Sequence, residues 1–195
     1  MGMPEMAQTW TREMVLALPE DRNRYELVDG ELVVTPSPGV PHQSVLGLLH
    51  RALDRYLESC GLGRVLCSPA DLQLVPGEVL QPDLFVVRLA EGQSLPQRWE
   101  EIRDLLLVIE IVSASSARID RMRKRHRYQR ARVPEYWVVD PFSRLIERWQ
   151  PDDERPAQLA EALAWQPDGG VAPLVIDVAE LFREALGDDP LGIEP

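Results

Sequence analysis

The chain has one lysine, Lys124; its other 20 basic residues are all arginine. Lys124 sits in the basic stretch Arg118-Ile119-Asp120-Arg121-Met122-Arg123-Lys124-Arg125-His126-Arg127-Tyr128. A few residues earlier, Glu110 interrupts the apolar run Leu105-Leu106-Leu107-Val108-Ile109-Glu110-Ile111-Val112. A carboxylate in such a run needs a cation, a metal or a set of donors, or it takes up a proton. A lysine on the following helix is a candidate cation. Together the two are parts of a metal-assisted phosphodiester hydrolysis, in which the acid helps hold the ion and the ammonium steadies water or phosphate. The plainer reading is a surface lysine paired with Asp120 at helical i,i+4 spacing, worth about 0.3–0.5 kcal/mol.

Two further acids have suggestive neighbours. Asp83 follows Pro82 and opens Leu84-Phe85-Val86-Val87; Glu26 lies between Tyr25 and Leu27. A hard ion such as Mg²⁺ or Mn²⁺ takes carboxylate and carbonyl oxygens, so Asp83, Glu110 and the main-chain carbonyl of Ile111 form a possible ligand set. Asp83 as a strand-start cap and Glu26 as a solvent-facing hairpin residue are the ordinary alternatives. Glu110 has no comparably ordinary explanation.

The elements that must carry these residues follow from pattern. Thr11 to Leu18 reads as a short helix ended by Pro19. Arg24 to Val34 reads as a hairpin, with Asp29-Gly30 as its tight turn. Pro41 to Cys60 is an amphipathic helix, with Val45, Leu49, Leu53 and Leu57 on one face and Gly61 stopping it. Strands are expected at 64–66, 71–75 and 81–87. The apolar run 105–112 suits a central strand covered on both faces. Residues 113–116 are a linker, and Ala117 to Arg132 is a helix ended by Val133-Pro134. Strands follow at 135–140, 143–150 and 158–165, and Asp177 caps a last helix, Val178–Leu186. Helices and strands mixed in this way predict an α/β or α+β arrangement around one mixed central sheet.

The totals narrow the classes. A length of 195 residues fits one domain, 1–195, with an acidic, loose tail from about 187. No run is long and apolar enough for a membrane span, and Met1 to Met6 lacks the basic and apolar regions of a signal peptide. Cys60 and Cys67 have no metal-ligand spacing, which together with the above predicts reduced thiols in a cytoplasmic protein. Net charge is −11, which argues against a general nucleic-acid binder. Its distribution says more. Residues 118–132 hold eight basic side chains against one acid, so that stretch is +7 and the rest of the chain −18. Such a patch could face phosphates, with Arg121, Arg125 and Arg127 as contacts, or could be a solvated helix face paired with acids elsewhere. Trp137, Trp149 and Trp165 suit a core.

Pro82-Asp83 followed by Glu110-Ile111-Val112 resembles the PD-(D/E)xK nuclease superfamily, whose lysine usually lies two residues after the glutamate. Here that position is Val112. The chain is similar to one branch, the Uma-two group, in which the lysine has moved to the next helix. Its pattern is matched by Glu110-Ile111-Val112-Ser113, by Asp120, Lys124 and Tyr128 at four-residue spacing, and by Val133-Pro134-Glu135-Tyr136-Trp137-Val138-Val139-Asp140. Tyr25 to Leu32, His42 and Leu174 to Phe182 also match, while Ala114 and Arg132 depart from the family's proline and glycine. The resemblance implies a restriction-endonuclease-like fold and an Mg²⁺- or Mn²⁺-dependent endonuclease acting on DNA, expected as a homodimer. It implies Asp83 and Glu110 as metal ligands, Lys124 as the displaced catalytic lysine and Glu26 as completing the acidic set, with Asp120, Tyr128 and His42 in support. A member that kept the fold without catalysis, as a nucleic-acid-binding or protein-interaction module, is the alternative.

Overall fold

The computed structural model describes residues 9–19, 21, 23–114 and 116–188. The segment 1–8, Ser115 of the expected linker and the acidic tail beyond 188 lie outside the described residues. In chain order the elements are α1 (Arg12–Leu16), β1 (Arg24–Val28), β2 (Glu31–Thr35), α2 (Val40–Cys60), β3 (Gly63–Cys67), β4 (Leu84–Arg88) and β5 (Leu105–Ile111). Then come α3 (Ala117–Ile119), a π turn (Asp120–Lys124), α4 (Arg125–Arg130), β6 (Tyr136–Asp140), β7 (Leu145–Trp149), β8 (Ala157–Leu159), β9 (Ala162–Trp165), β10 (Leu174–Asp177) and α5 (Val178–Leu186).

The centre is a six-stranded sheet in the order β3-β4-β5-β6-β7-β8. All neighbours are antiparallel except β5 and β6, which are parallel and joined through α3, the π turn and α4. Every residue of β5 and of β6 is buried, as their unbroken apolar runs require. One sheet face packs on α2 and α5, with Leu49, Leu53, Leu106, Ile109, Trp137, Trp165 and Phe182 in that core. The other face carries Phe85, Val108, Tyr128, Tyr136 and Val138 under α4 and the N-terminal hairpin. Burial of this kind is worth about 25 cal/mol per Å² of apolar surface, so the two layers hold the sheet from both sides.

The hairpin turns at Asp29-Gly30, both with positive φ (57° and 75°), as a two-residue turn between twisted strands requires. It docks on the body through a pair of main-chain bonds between Leu27 and Val79, 2.9 and 3.2 Å. Thr11 caps α1, and Asp177 caps α5 by accepting from the Glu180 N–H at 2.8 Å. Gly61, in the left-handed region, closes α2.

Three expectations change. Residues 71–75 form no strand; Leu72 makes a single bridge to Leu80. Pro76-Gly77 turns the chain there, and Pro82 lacks the N–H that a ladder needs, so β4 begins only at Leu84. The stretch 158–165 is two short strands, β8 and β9, in different sheets, with β9 pairing with a strand at 174–177 that periodicity did not reveal. The helix expected over 117–132 is interrupted by the π turn, in which the Arg125 N–H reaches back five residues to the Asp120 carbonyl. Cys60 and Cys67 are free thiols, and Trp137, Trp149 and Trp165 are buried.

Candidate active site

Strand register brings the first two acids together. Leu84 on β4 faces Ile109 on β5. The next step along each strand places Asp83 beside Glu110 on the sheet face opposite the Leu84–Ile109 core. Asp83 is 2% exposed and Glu110 1%. The parallel crossover then lays the π turn and α4 across that face, and the hairpin closes over it from the other side.

Lys124 Nζ lies 2.8 Å from Glu26 Oε2, 3.0 Å from Glu110 Oε1 and 3.3 Å from Asp120 Oδ1, itself 2% exposed. Tyr128 OH donates to the same Glu110 oxygen at 3.0 Å. Asp120, Lys124 and Tyr128 are all buried, so the four-residue spacing does set one face of this segment. Tyr136 OH donates to the Asp120 carbonyl at 3.0 Å, fixing the start of the π turn. Glu26 Oε1 accepts from the Gln81 N–H at 2.7 Å, tying the hairpin acid to the segment that leads into Asp83.

Asp83 has its own partners. Its Oδ1 accepts from Arg24 Nη1 at 2.7 Å, and its Oδ2 accepts from the Ile111 N–H at 2.7 Å and lies 3.1 Å from His42 Nε2. His42 is placed by the first turn of α2. Arg24 Nη1 also donates to the Gln81 carbonyl at 3.0 Å.

These surroundings set the protonation pattern. Burial alone would raise Asp83, but the His42 bond, the Arg24 charge and the Ile111 N–H outweigh it and bring the carboxyl down to about 2. Glu110 moves the other way. Burial raises it well above the usual carboxylate range, Lys124 opposes this, and the charges of Asp120, Asp83 and Glu26 push it further up. Asp120 is also raised, chiefly by burial against the pull of Lys124. Lys124 holds its proton more tightly than an ordinary lysine, because Glu110, Glu26 and Asp120 outweigh its own desolvation. Lys124 thus keeps its ammonium among carboxyls of which Glu110 and Asp120 take up a proton more readily than ordinary acids.

Of the residues singled out from sequence, Glu26, His42, Asp83, Glu110, Ile111, Asp120, Lys124 and Tyr128 come together here. The three arginines expected to meet phosphate do not. Arg121 pairs with Asp140 and Glu147 at 2.7 and 2.8 Å. The Arg125 guanidinium lies 4.5 Å over the Trp149 ring. Arg127 pairs with Asp29, and with Glu78 at 3.1 Å. Arg24 was not anticipated. Its signal was present in the sequence: two residues before Glu26 in a strand, it must share that acid's face.

The site opens through a cavity of about 340 Å³ lined by Arg24, His42 and Asp83 together with Thr35, Ser68 and Gln81. Lys124, Glu26 and Asp120 border a separate slot of about 30 Å³ between β2 and the π turn. Among the described residues, no three His, Cys, Asp or Glu side chains stand close enough to hold an ion by themselves.

Asp83, Glu110 and Lys124 thus meet on one face of the six-stranded mixed sheet. A profile of the Uma2 family, described as "Putative restriction endonuclease", matches residues 12–178, and the chain belongs to that family. Its fold is similar to that of a crystal structure described as a "putative nuclease belonging to DUF820" from Anabaena variabilis. That likeness has a TM-score of 0.69 at 16% identity and covers 91% of this chain and 99% of that one. No curated protein matches. Among the described residues, no helix is long and apolar enough to cross a membrane.

Proposed function

We propose that this protein is a metal-dependent nuclease that hydrolyses DNA phosphodiester bonds at the Asp83–Glu110–Lys124 cluster. One observation carries the reading. Four acids, Glu26, Asp83, Glu110 and Asp120, are buried together, and among the described residues two permanent cations, Arg24 and Lys124, are placed with them. A site with such a surplus suits a divalent cation, which would compete with protons for Glu110 and Asp120.

The donor set fits Mg²⁺ or Mn²⁺ in kind. Such ions are commonly held by one or two carboxylates, with water and substrate phosphate completing the shell, so a cage of three acids is not required. Asp83 and Glu110 would be the protein's carboxylate ligands and the Ile111 carbonyl a main-chain ligand. When bound, the ion would supply an activated water and offset charge on the phosphate.

The remaining chemistry belongs to the chain. Lys124 keeps its proton and presents a compact positive charge, which a planar guanidinium cannot supply in the same space. Tyr128 holds Glu110 Oε1 in place. Arg24, His42 and the Ile111 N–H keep Asp83 ionised and oriented. Glu26 fixes the other side of the ammonium.

Cleavage of single-stranded DNA and of plasmid by the purified protein in Mg²⁺ or Mn²⁺ tests the reading, beside Lys124→Ala, Glu110→Ala and an EDTA control. Nicking that disappears in all three controls is the expected result. Absence of any metal-dependent difference between wild type and variants, on single- or double-stranded DNA, would favour a non-catalytic binding module, a reading that the net charge of −11 also supports.

A further inference from the structure

The geometry points to a single nucleic-acid strand as the substrate form, lying in a trough along β2. The inference rests on the nuclease reading and names the substrate's form and path. Three depressions follow β2 in turn. The first, about 890 Å³, is lined by Glu31 to Val34 and by the outer face of α3, the π turn and α4. The second is the slot of about 30 Å³ over Lys124, lined by Val33 to Thr35. The third is the cavity of about 340 Å³ at Arg24, His42 and Asp83, lined by Thr35 and the following residues to Pro38. Val33, Val34 and Ile119 border both the first and the second; Thr35 borders both the second and the third.

The charges of the first depression suit a polyanion. In the first depression Asp29 and Glu31 are already paired with Arg127 and Arg123. Arg118 and Arg130, both exposed, form no ion pair among the described residues. They stand with Met122 and His126 at four-residue intervals on the face opposite Asp120, Lys124 and Tyr128. Met122 and Val34, 56% and 49% exposed, offer apolar surface to bases between these cations. A positive groove that tracks the backbone, with apolar contacts for bases, is how single strands are held without sequence preference.

Accessibility selects one strand over two. Lys124 is 2% exposed behind a slot that admits about one water, and Asp83 is 2% exposed at the cavity of about 340 Å³. A stacked duplex cannot bring its backbone that deep, whereas an unpaired strand can bend a phosphate into the cavity.

Binding measured in EDTA separates this inference from catalysis. A fluorescein-labelled oligothymidylate, followed by anisotropy at low salt, should bind more tightly than a duplex of equal length. An oligouridylate arm distinguishes DNA from RNA as the source of the strand. The double substitution Arg118→Gln, Arg130→Gln should weaken binding about tenfold and lower the salt slope by ~0.7 per arginine. Arg132→Gln, an exposed arginine paired with Asp152 away from the trough, should leave it unchanged. Tighter binding of the duplex, no binding of either strand, or unchanged affinity in the double variant would overturn the track. Metal-dependent cleavage alongside any of these would leave the nuclease reading standing. A strand bound as expected but never cut would remove the nuclease reading and leave the track.

Discussion

Two cation–carboxylate clusters flank the π turn, and their contrast separates structure from chemistry. At Arg121 one guanidinium meets two acids, Asp140 and Glu147, through two different nitrogens at 2.7 and 2.8 Å, with its side chain 30% exposed. Each acid has a matched donor, and Asp140 also accepts the Phe142 and Ser143 N–H groups. At Lys124 one ammonium, with its side chain 3% exposed, meets three acids and a fourth lies next to them. The first arrangement is satisfied and joins the π turn to β6 and β7. The second holds more negative charge than its cations balance. Arginine is used where a planar fork ties elements together, and lysine where a compact charge is held inside an acid cluster.

The largest effect that would sharpen this contrast is Lys124→Ala. Removing the ammonium leaves three buried carboxylates without their shared partner, at a cost of about 3–5 kcal/mol. Urea unfolding should show that loss, and any nicking activity should vanish with it. Arg121→Ala, by comparison, should cost only about 1 kcal/mol, because its charge is partly screened by water, and should leave nicking intact. Equal losses at the two positions would erase the distinction.

Glu110→Gln separates fold from function more finely. Glu110 is raised well above the usual carboxylate range, so a neutral isostere should cost little stability or add some, while nicking falls by about 10²–10³. A large loss of stability would show that the charged form is the one the fold requires.

The pH dependence of stability should have two sides of different origin. Asp83 is depressed from 3.8 to about 2, so its contribution is present above its ordinary value. It is lost as pH falls from about 4 towards 2, to the extent of roughly 2 kcal/mol. Glu110 and Asp120 are raised, so their contribution is fully present below the ordinary carboxylate range and is lost as pH rises through their elevated values. Chemical unfolding across pH checks both limbs. Glu110→Gln should flatten the upper limb and spare the lower one, which His42→Asn should shallow instead. The smallest effect is expected for Arg132→Ala, whose pair with Asp152 is largely exposed to solvent.

Much of this was legible in the chain. The DG hairpin, the long amphipathic helix, the capped final helix and the buried strand 105–111 all follow from local rules that tertiary contacts reinforced. The failures cluster where the chain has no strong period: 71–75, where prolines prevent pairing, and 158–177, where two short strands find partners only through the fold. The π turn was invisible because Asp120, Lys124 and Tyr128 keep an ordinary helical spacing. Arg121, Arg125 and Arg127 form part of a basic run in sequence, yet each side chain points to a separate partner.

The sequence by itself determined which groups exist to do chemistry: a lone lysine among arginines, and acids at the ends of apolar strands that have no reason to be charged there. Only the tertiary structure decided their state. Residues 26, 83, 110 and 124 are far apart along the chain, and a carboxyl's proton affinity depends on distances and burial that no local pattern encodes. Sheet register set Asp83 beside Glu110, the crossover brought in Lys124, and the hairpin added Glu26 and Arg24. The same placement depressed one strand acid and raised the other, a division of roles between Asp83 and Glu110 that the residues alone do not distinguish.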